Sequence, residues 1–324
     1  MSSIPLPEWA QHEAVWIGFP SDLALWEDDL APAQAEVAAF ATAIHAEGAG
    51  EKVWLVAADE TAAAEARRLA PFATVIVEPF GDIWLRDTGA IVVGSGATRR
   101  AQGFGFNGWG GKYELEGDDS IGERLADAAD LPYAKADWIL EGGAIDGDGS
   151  GTLLTTEQCL LNPNRNPGFG RYDVEQRLAS DLGTTRVVWL GDGLENDHTD
   201  GHIDNIARFV ALGRVAIPEA VEDDPNAPAY AYAAEILLDA DLEVVAIPSP
   251  GLVERDGEMV PASYMNFYIG NATVVVPQYG APNDAAAVEA LQDIFPDRRV
   301  VGLRADHILT GGGSFHCISQ QVPK

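Results

Sequence analysis

Residues 273–303 read TVVVPQYGAPNDAAAVEALQDIFPDRRVVGL. A β-branched run, Thr273–Val276, comes first and a Pro/Gly loop follows. Helical periodicity then runs over Asp284–Phe295, and Arg299–Leu303 forms a second apolar run. Strand, helix, strand within thirty-one residues predicts a parallel pair with a crossover helix. The same alternation extends along the chain. Helices are predicted near Ala33–Glu47, Glu60–Ala70, Ser120–Ala129, Tyr172–Leu182 and Ala229–Leu238. Strands are predicted at Val53–Val56, Thr74–Val77, Ala90–Val93, Thr152–Thr155, Arg186–Leu190, Ile206–Val210 and Val244–Ile247. Such alternation argues for an α/β fold. No Pro/Gly/Ser linker divides the chain, so residues 1–324 are expected to form one domain.

A faint internal repeat accompanies this pattern. Five polar or glycine-rich elements stand beside strand-like runs. They are Arg86-Asp87-Thr88-Gly89, Glu141-Gly142-Gly143, Gly201-His202-Ile203-Asp204, Asn266-Phe267-Tyr268 and Gly311-Gly312-Gly313, the last leading into Ser314–Ser319. Five units that each present polar groups at one strand end would converge on one central site.

The formal charge is −31, from 51 acidic and 20 basic residues. That argues against nucleic acid or an anionic membrane as partner and is compatible with a cationic substrate. Solubility or adaptation to salt is the better account of most of the charge. The two cysteines, Cys159 and Cys317, give no disulfide framework. The run Gln158-Cys159-Leu160-Leu161 reads as a buried strand, and Cys159 is assigned no role. The opening Met1-Ser2-Ser3-Ile4-Pro5 has no signal-peptide character, and no apolar run is long enough to span a bilayer. A cytoplasmic location is expected, where an unpaired thiol stays reduced.

Cys317 follows three glycines, which permit turns and close approach to a ligand. A thiol delivered by such a turn can act, as thiolate, as a nucleophile; the plainer reading is a small buried hydrophobe in a terminal strand. The segment Glu195–Asn205 packs two histidines and four acids into eleven residues. If a strand begins at Gly201, His202 and Asp204 point to one face. Asp87 precedes a strand, and Glu141 closes Trp138-Ile139-Leu140. Each acid alone suits an ion pair, a turn or a cap. Together with His202 and Cys317 they suit the handling of a guanidinium, a planar cation with five donors. Two carboxylates grip its edges, a thiolate attacks its central carbon, and a histidine moves protons.

These residues resemble the agmatine deiminases and the bacterial-type peptidylarginine deiminases of the guanidine-modifying superfamily. The likeness runs from Pro7-Glu8-Trp9 to the C-terminus. It includes Trp84-Leu85-Arg86-Asp87-Thr88-Gly89, Phe106-Asn107-Gly108-Trp109-Gly110-Gly111, Leu140-Glu141-Gly142-Gly143, Cys159-Leu160-Leu161-Asn162-Pro163-Asn164-Arg165-Asn166-Pro167, Thr199-Asp200-Gly201-His202-Ile203-Asp204 and His316-Cys317-Ile318-Ser319. The resemblance implies a pentein fold, a five-bladed pseudo-symmetric α/β propeller. It implies Cys317 as nucleophile, His202 as general acid and base, Asp87 and Asp204 as guanidinium clamps, and Glu141 orienting His202. Trp84, Trp109, Asp197 and Asp200 are expected to line the substrate. No metal or organic cofactor is implied. The partner is a small cationic guanidine, with assembly into a homo-oligomer left open. His316 adjoins Cys317 in an expected strand, so its side chain should face away. The chain departs from the agmatine pattern at Asp200, where many members carry Asn, and at Asn196-Asp197-His198, where many carry an acidic run.

Agmatine hydrolysis to N-carbamoylputrescine and ammonia is the expected reaction. Arginine, peptidyl-arginine or another guanidine are alternative substrates, and amidinotransfer is an alternative outcome. From different classes, His198, His202 and Asp204 offer donors for a metal-dependent hydrolase, and a non-catalytic guanidine or polyamine binder would need no nucleophile.

Overall fold

The computed structural model describes residues 4–324. Met1-Ser2-Ser3, part of the stretch read as lacking a signal peptide, lie outside them. The strands are β1 (His12–Phe19), β2 (Lys52–Ala57), β3 (Thr74–Val77), β4 (Ile91–Val93), β5 (Arg100–Gly105), β6 (Tyr133–Ile139), β7 (Asp146–Gly147), β8 (Thr152–Thr155) and β9 (Arg186–Trp189). They continue with β10 (Arg208–Ala211), β11 (Arg214–Glu219), β12 (Glu243–Pro248), β13 (Glu254–Arg255), β14 (Glu258–Met259), β15 (Tyr268–Ile269), β16 (Thr273–Gln278), β17 (Arg299–Arg304) and β18 (Ser319–Pro323). Among the described residues they form five sheets of three or four strands and one small hairpin, β13–β14.

The five sheets share one plan. A strand pairs antiparallel with the next, then a helix crosses over to a parallel third. The triplets are β4-β5-β6, β7-β8-β9, β10-β11-β12 and β15-β16-β17; the first sheet, β18-β1-β2-β3, carries an extra parallel strand. The stretch 273–303 is the clearest case. Val274–Val276 are fully buried, as a parallel strand covered on both faces requires. They pair with Val300, Val301 and Gly302. The connecting helix Asp284–Ile294 buries Ala287 and Leu291, one turn apart, against them.

The antiparallel strand of each unit is preceded by a tight turn. Helical turns stand at Leu85–Thr88, Gly142–Ala144, Ile203–Asn205 and Tyr264–Asn266. A fifth turn at Phe315–Ile318 leads into β18, which pairs with β1. These are the five positions of the sequence repeat. Two expectations are corrected here. Gly201–Val210 does not begin as a strand, because β10 starts only at Arg208. Ser314–Ser319 is not a strand either: residues 315–318 turn and pairing begins at Ser319. In both places the backbone must bend to bring polar side chains inward, which a strand with alternating faces cannot do for adjacent residues.

Beneath the turns runs a buried charged network. Arg208 is ion-paired to Glu8 (3.0 Å) and Asp146 (2.6 Å) and donates to the carbonyl of Phe267 (2.7 Å). Arg86 reaches Glu8 (3.3 Å) and the Gln321 side chain (2.8 Å). These contacts join the N-terminal segment, the turn of Arg86, strands β7 and β10, the residue after the Tyr264–Asn266 turn and the last strand. No helix of the described residues is long and apolar enough to cross a membrane.

Candidate active site

The five turns converge on Cys317. The Arg86 N–H donates to the Cys317 carbonyl (3.0 Å), which fixes the turn of Asp87 against the last turn of the chain. Asn266 grips Cys317 from a third turn: its Nδ2 lies 3.0 Å from Sγ, and its Oδ1 accepts the Cys317 N–H at 3.2 Å. The Asp204 Oδ2 lies 3.6 Å from Sγ. Gly143 supplies the fourth turn and needs its missing side chain. A Cβ there would stand 2.5 Å from His202 Nδ1, 2.9 Å from Asp87 Oδ1 and 3.2 Å from Asp204 Oδ2. Its N–H donates to Asp87 Oδ1 (2.9 Å). Cys317, Asp87, Asp204 and His202 therefore meet, with Glu141 behind them.

The two aspartates are prepared differently. Asp87 accepts the Gly143 N–H at one oxygen and Trp109 Nε1–H at the other (2.9 Å). Burial pushes its carboxyl above the usual range, with Asp204 and Glu141 adding to the effect and His202 opposing it. Asp204 is fully buried. Burial alone would raise it, but His316 Nδ1, 2.7 Å from its Oδ2, more than reverses that. Its Oδ1 has no hydrogen-bond partner. A buried, ionised, half-unpaired carboxylate is costly unless a cation arrives.

His202 Nδ1 lies 3.7 Å from Asp87 Oδ1, and neither ring nitrogen has a hydrogen-bond partner. Burial works against charging the ring, but Asp87, then Cys159 and Glu141, hold it well above the usual imidazole range. Cys317 moves the other way. Burial, with Asp204 and Asp87 close by, raises its thiol well above the usual range. The empty site thus pairs a protonated imidazole with a protonated thiol, not the thiolate the sequence suggested.

Cys317 and Asp87 form the floor of a cavity of about 230 Å³, walled by Trp26, Trp84, Trp109, Tyr113 and the glycines 311–313. Glycine is required at 313, where a Cβ would lie 2.6 Å from Trp84 Cζ3 and 3.1 Å from Cys317 Sγ. Trp84 and Trp109 line this cavity. Asp197 and Asp200 do not. Asp197 is turned inward, accepting from the Thr199 N–H (2.8 Å) and hydroxyl (2.5 Å). Asp200 is occupied by Lys112 (2.6 Å), Asn164 (2.9 Å) and Arg165 (2.5 Å). Their carboxylates brace loops: neutral donors of Thr199 take Asp197, and the cations Lys112 and Arg165 take Asp200.

Three further corrections concern histidine and cysteine. His316 does not face away. Its ring is buried and bridges Asp204 and Glu8, with Nε2 2.9 Å from Glu8 Oε2. Cys159 is not in a strand but in the helical turn Glu157–Leu160, capped by Thr156, and its sulfur packs beside His202 and Glu141. His198 stands at the cavity mouth, Nδ1 3.1 Å from the Tyr113 hydroxyl, apart from the buried His202. Among the described residues the His, Cys and carboxylate groups close enough to share an ion are Glu141, Cys159 and His202, not the set His198, His202 and Asp204. Arg165 already neutralises Glu141 (2.7 Å) at that place.

Sequence reasoning missed Asn266, Arg165 and Asp82 as site residues. Asn266 stood in one of the five repeated elements, so position alone was a signal. Arg165 lay in the Asn162–Pro167 motif, and Asp82 had no signal beyond preceding Trp84.

The chain is similar to known proteins along nearly its whole length. Residues 5–323 match the family described as Porphyromonas-type peptidyl-arginine deiminase. A Marinomonas sp. (strain MWYL1) protein, provisionally named agmatine deiminase, is 38% identical over 350 residues, covering 98% of this chain and 93% of its own. The solved agmatine deiminase of Enterococcus faecalis superposes with a TM-score of 0.93 at 33% identity, covering 99% of this chain and 96% of that one. A cysteine-to-serine variant of C. jejuni agmatine deiminase with substrate bound gives 0.90 at 28% identity, covering 99% and 96%. The chain therefore belongs to the Porphyromonas-type peptidyl-arginine deiminase family, pentein-fold hydrolases that act on the C–N bonds of guanidines.

Proposed function

We propose that this protein is an agmatine deiminase, converting agmatine and water to N-carbamoylputrescine and ammonia. We further propose that the five sheet units are blades of one propeller-like domain around the site, and that the enzyme works in the cytoplasm. One observation carries the choice of substrate. The cavity above Cys317 is lined by aromatic rings and carboxylates, with no lysine or arginine among its lining residues. An α-carboxylate, as in free arginine, would be desolvated there without a partner. A tetramethylene chain ending in ammonium meets neither objection. The names of the E. faecalis and C. jejuni proteins support the same substrate.

In the proposed mechanism the guanidinium enters between Asp87 and the free Oδ1 of Asp204. Its positive charge offsets the two carboxylates that hold the Cys317 proton in place, so the thiol gives up its proton to solvent more easily once substrate is bound, and that proton is taken up there by the released ammonia as ammonium. The thiolate then forms a C–S bond to the guanidinium carbon. His202, already protonated, gives its proton to a departing nitrogen, and ammonia leaves with its C–N bond. This yields an S-linked amidino (thiouronium-type) adduct. Neutral His202 next takes a proton from water as its oxygen adds to the same carbon. The C–S bond breaks, the ureido product leaves and the thiol is restored. Glu141 sits where it can orient the ring. No step calls on a metal.

Two measurements test this reading. The first compares kcat/KM for agmatine and arginine, with the ureido product and ammonia identified. Agmatine should win, and part of its advantage should fade with salt, because a chain of net charge −31 draws a dication best where charges are unscreened. Arginine equalling agmatine at low salt overturns the assignment. The second follows iodoacetamide inactivation of the substrate-free enzyme against pH. Because the Cys317 thiol is raised, alkylation should be slow at pH 7 and rise about tenfold per pH unit above it. A flat profile would mean the thiolate is preformed.

A further inference from the structure

The cavity holds a further carboxylate, outside the catalytic cluster, that only neutral groups of the fold contact. Asp82 lines the cavity with Trp26 and Trp84. Its Oδ1 accepts from Trp26 Nε1–H (3.0 Å) and the Ile83 N–H (2.9 Å), and its Oδ2 accepts from Trp84 Nε1–H (2.7 Å). All three donors are neutral, and a carboxylate has about four lone-pair positions. One position on Oδ2 is left over. Among the described residues no Lys, Arg or His forms an ion pair with Asp82.

The surroundings are rich in acidic groups as well. Asp118 accepts the N–H groups of Gly81 (2.7 Å) and Asp82 (3.3 Å). It is 1% exposed, with Oδ2 unpartnered, and burial pushes it up to about 7. Asp22 adds its charge to Asp82. An acid-rich, cation-free end of an aromatic cavity is a poor place for an anion and a good one for an ammonium.

Position matters too. The Trp84 ring passes from the nucleophile to this carboxylate. Its Cζ3 edge lies against Gly313 beside Cys317, while Nε1 on the opposite edge holds Asp82. The Trp84 indole thus stands between the Cys317 side of the cavity and Asp82. The Trp26 and Trp84 rings, stacked with centroids 6.3 Å apart, fix the carboxylate from two sides.

We propose that Asp82, oriented by the indole N–H groups of Trp26 and Trp84, is the subsite for the terminal ammonium of the substrate. It takes the role that Asp197 and Asp200 cannot, and it selects ω-ammonium alkylguanidines over neutral or carboxylate-bearing ones. The assignment rests on the deiminase reading above.

The experiment compares agmatine with n-butylguanidine, which has the same chain without the ammonium, in wild-type enzyme and in Asp82→Asn. Loss of a hydrogen bond to a charged group should lower the agmatine-to-butylguanidine ratio of kcat/KM by about 10–100-fold. Trp26→Phe, which removes one donor but no charge, should lower the same ratio by less. An unchanged ratio in Asp82→Asn overturns the subsite while leaving deimination intact. A wild-type enzyme that hydrolyses neither guanidine overturns the deiminase reading and the subsite with it. If Asp82→Asn does not fold, competitive inhibition of the wild type decides: butylamine should inhibit more strongly than 1-butanol, and equal inhibition overturns the proposal.

Discussion

Cys317→Ser is expected to abolish turnover of agmatine, with kcat falling on the order of 10⁴–10⁶-fold. The serine hydroxyl is about the size of the thiol, so the turn held by Asn266 and the Arg86 N–H should persist. What is lost is the nucleophile. The thiol is already held above its usual range by burial, Asp204 and Asp87, and only a bound cation relieves this. A hydroxyl in the same field begins several pH units less acidic, so the same relief leaves almost no alkoxide. The variant should still bind agmatine, because Asp87, Asp204 and the aromatic walls are untouched. Calorimetric binding with no ureido product is the expected pair of results. A variant with near-normal rate would remove the covalent route.

His202→Gln and His316→Gln should both be inactive or nearly so, but for separable reasons. Glutamine cannot hold the proton that His202 gives to ammonia, and loss of a general acid and base costs about 10²–10⁴-fold in kcat. The His202 ring nitrogens make no hydrogen bond and only a 3.7 Å ion pair with Asp87, so the melting temperature should fall less than in the His316 variant. His316 is different. Asp204 and Glu8 are both held below the usual range, hence ionised, and each faces one nitrogen of the ring. The ring thus sits between two buried carboxylates. A glutamine offers its amide N–H groups to one carboxylate and turns a carbonyl oxygen towards the other. Removing one partner from a buried ionic bridge costs about 3–5 kcal/mol. The melting temperature should fall by several degrees while activity drops through the misplaced Asp204. Thermal unfolding alongside kcat/KM checks both. A His316→Gln enzyme with unchanged melting temperature and activity would show that the bridge does not hold Asp204.

The contrast between those two histidines marks where reading the sequence stopped. Facing was inferred from strand alternation, which needs a strand. Both His202 and His316 sit in tight turns, where successive side chains splay in directions that depend on which distant unit the turn packs against. The strands not anticipated fail for a related reason. Strand β5 contains Gly103 because the Tyr133 ring crosses it, with the hydroxyl oxygen 2.1 Å from where a Cβ would be. Strand β11 contains Pro218, and β1 is an early segment whose pairing partner, β18, arrives some three hundred residues later. Local propensity is weak in each, and the partner strand supplies what the segment lacks.

By itself the sequence determined the alternation of strands and helices, because a two-residue and a 3.6-residue apolar period are local properties of a chain. It also marked the five polar or glycine-rich elements, since each stands beside an apolar run, but not that all five are turns. Tertiary structure alone decided which way those side chains turn, which carboxylates are free and which protons are held. Asp197 and Asp200 look available in the chain, yet the fold closes them with Thr199, Lys112 and Arg165. Asp82 looks ordinary in the chain, and the fold leaves it facing a cavity with no cation. Ionisation follows from burial and from charges up to three hundred residues away, as between Glu8 and His316. Such fields are sums over space, and a sequence gives no distances.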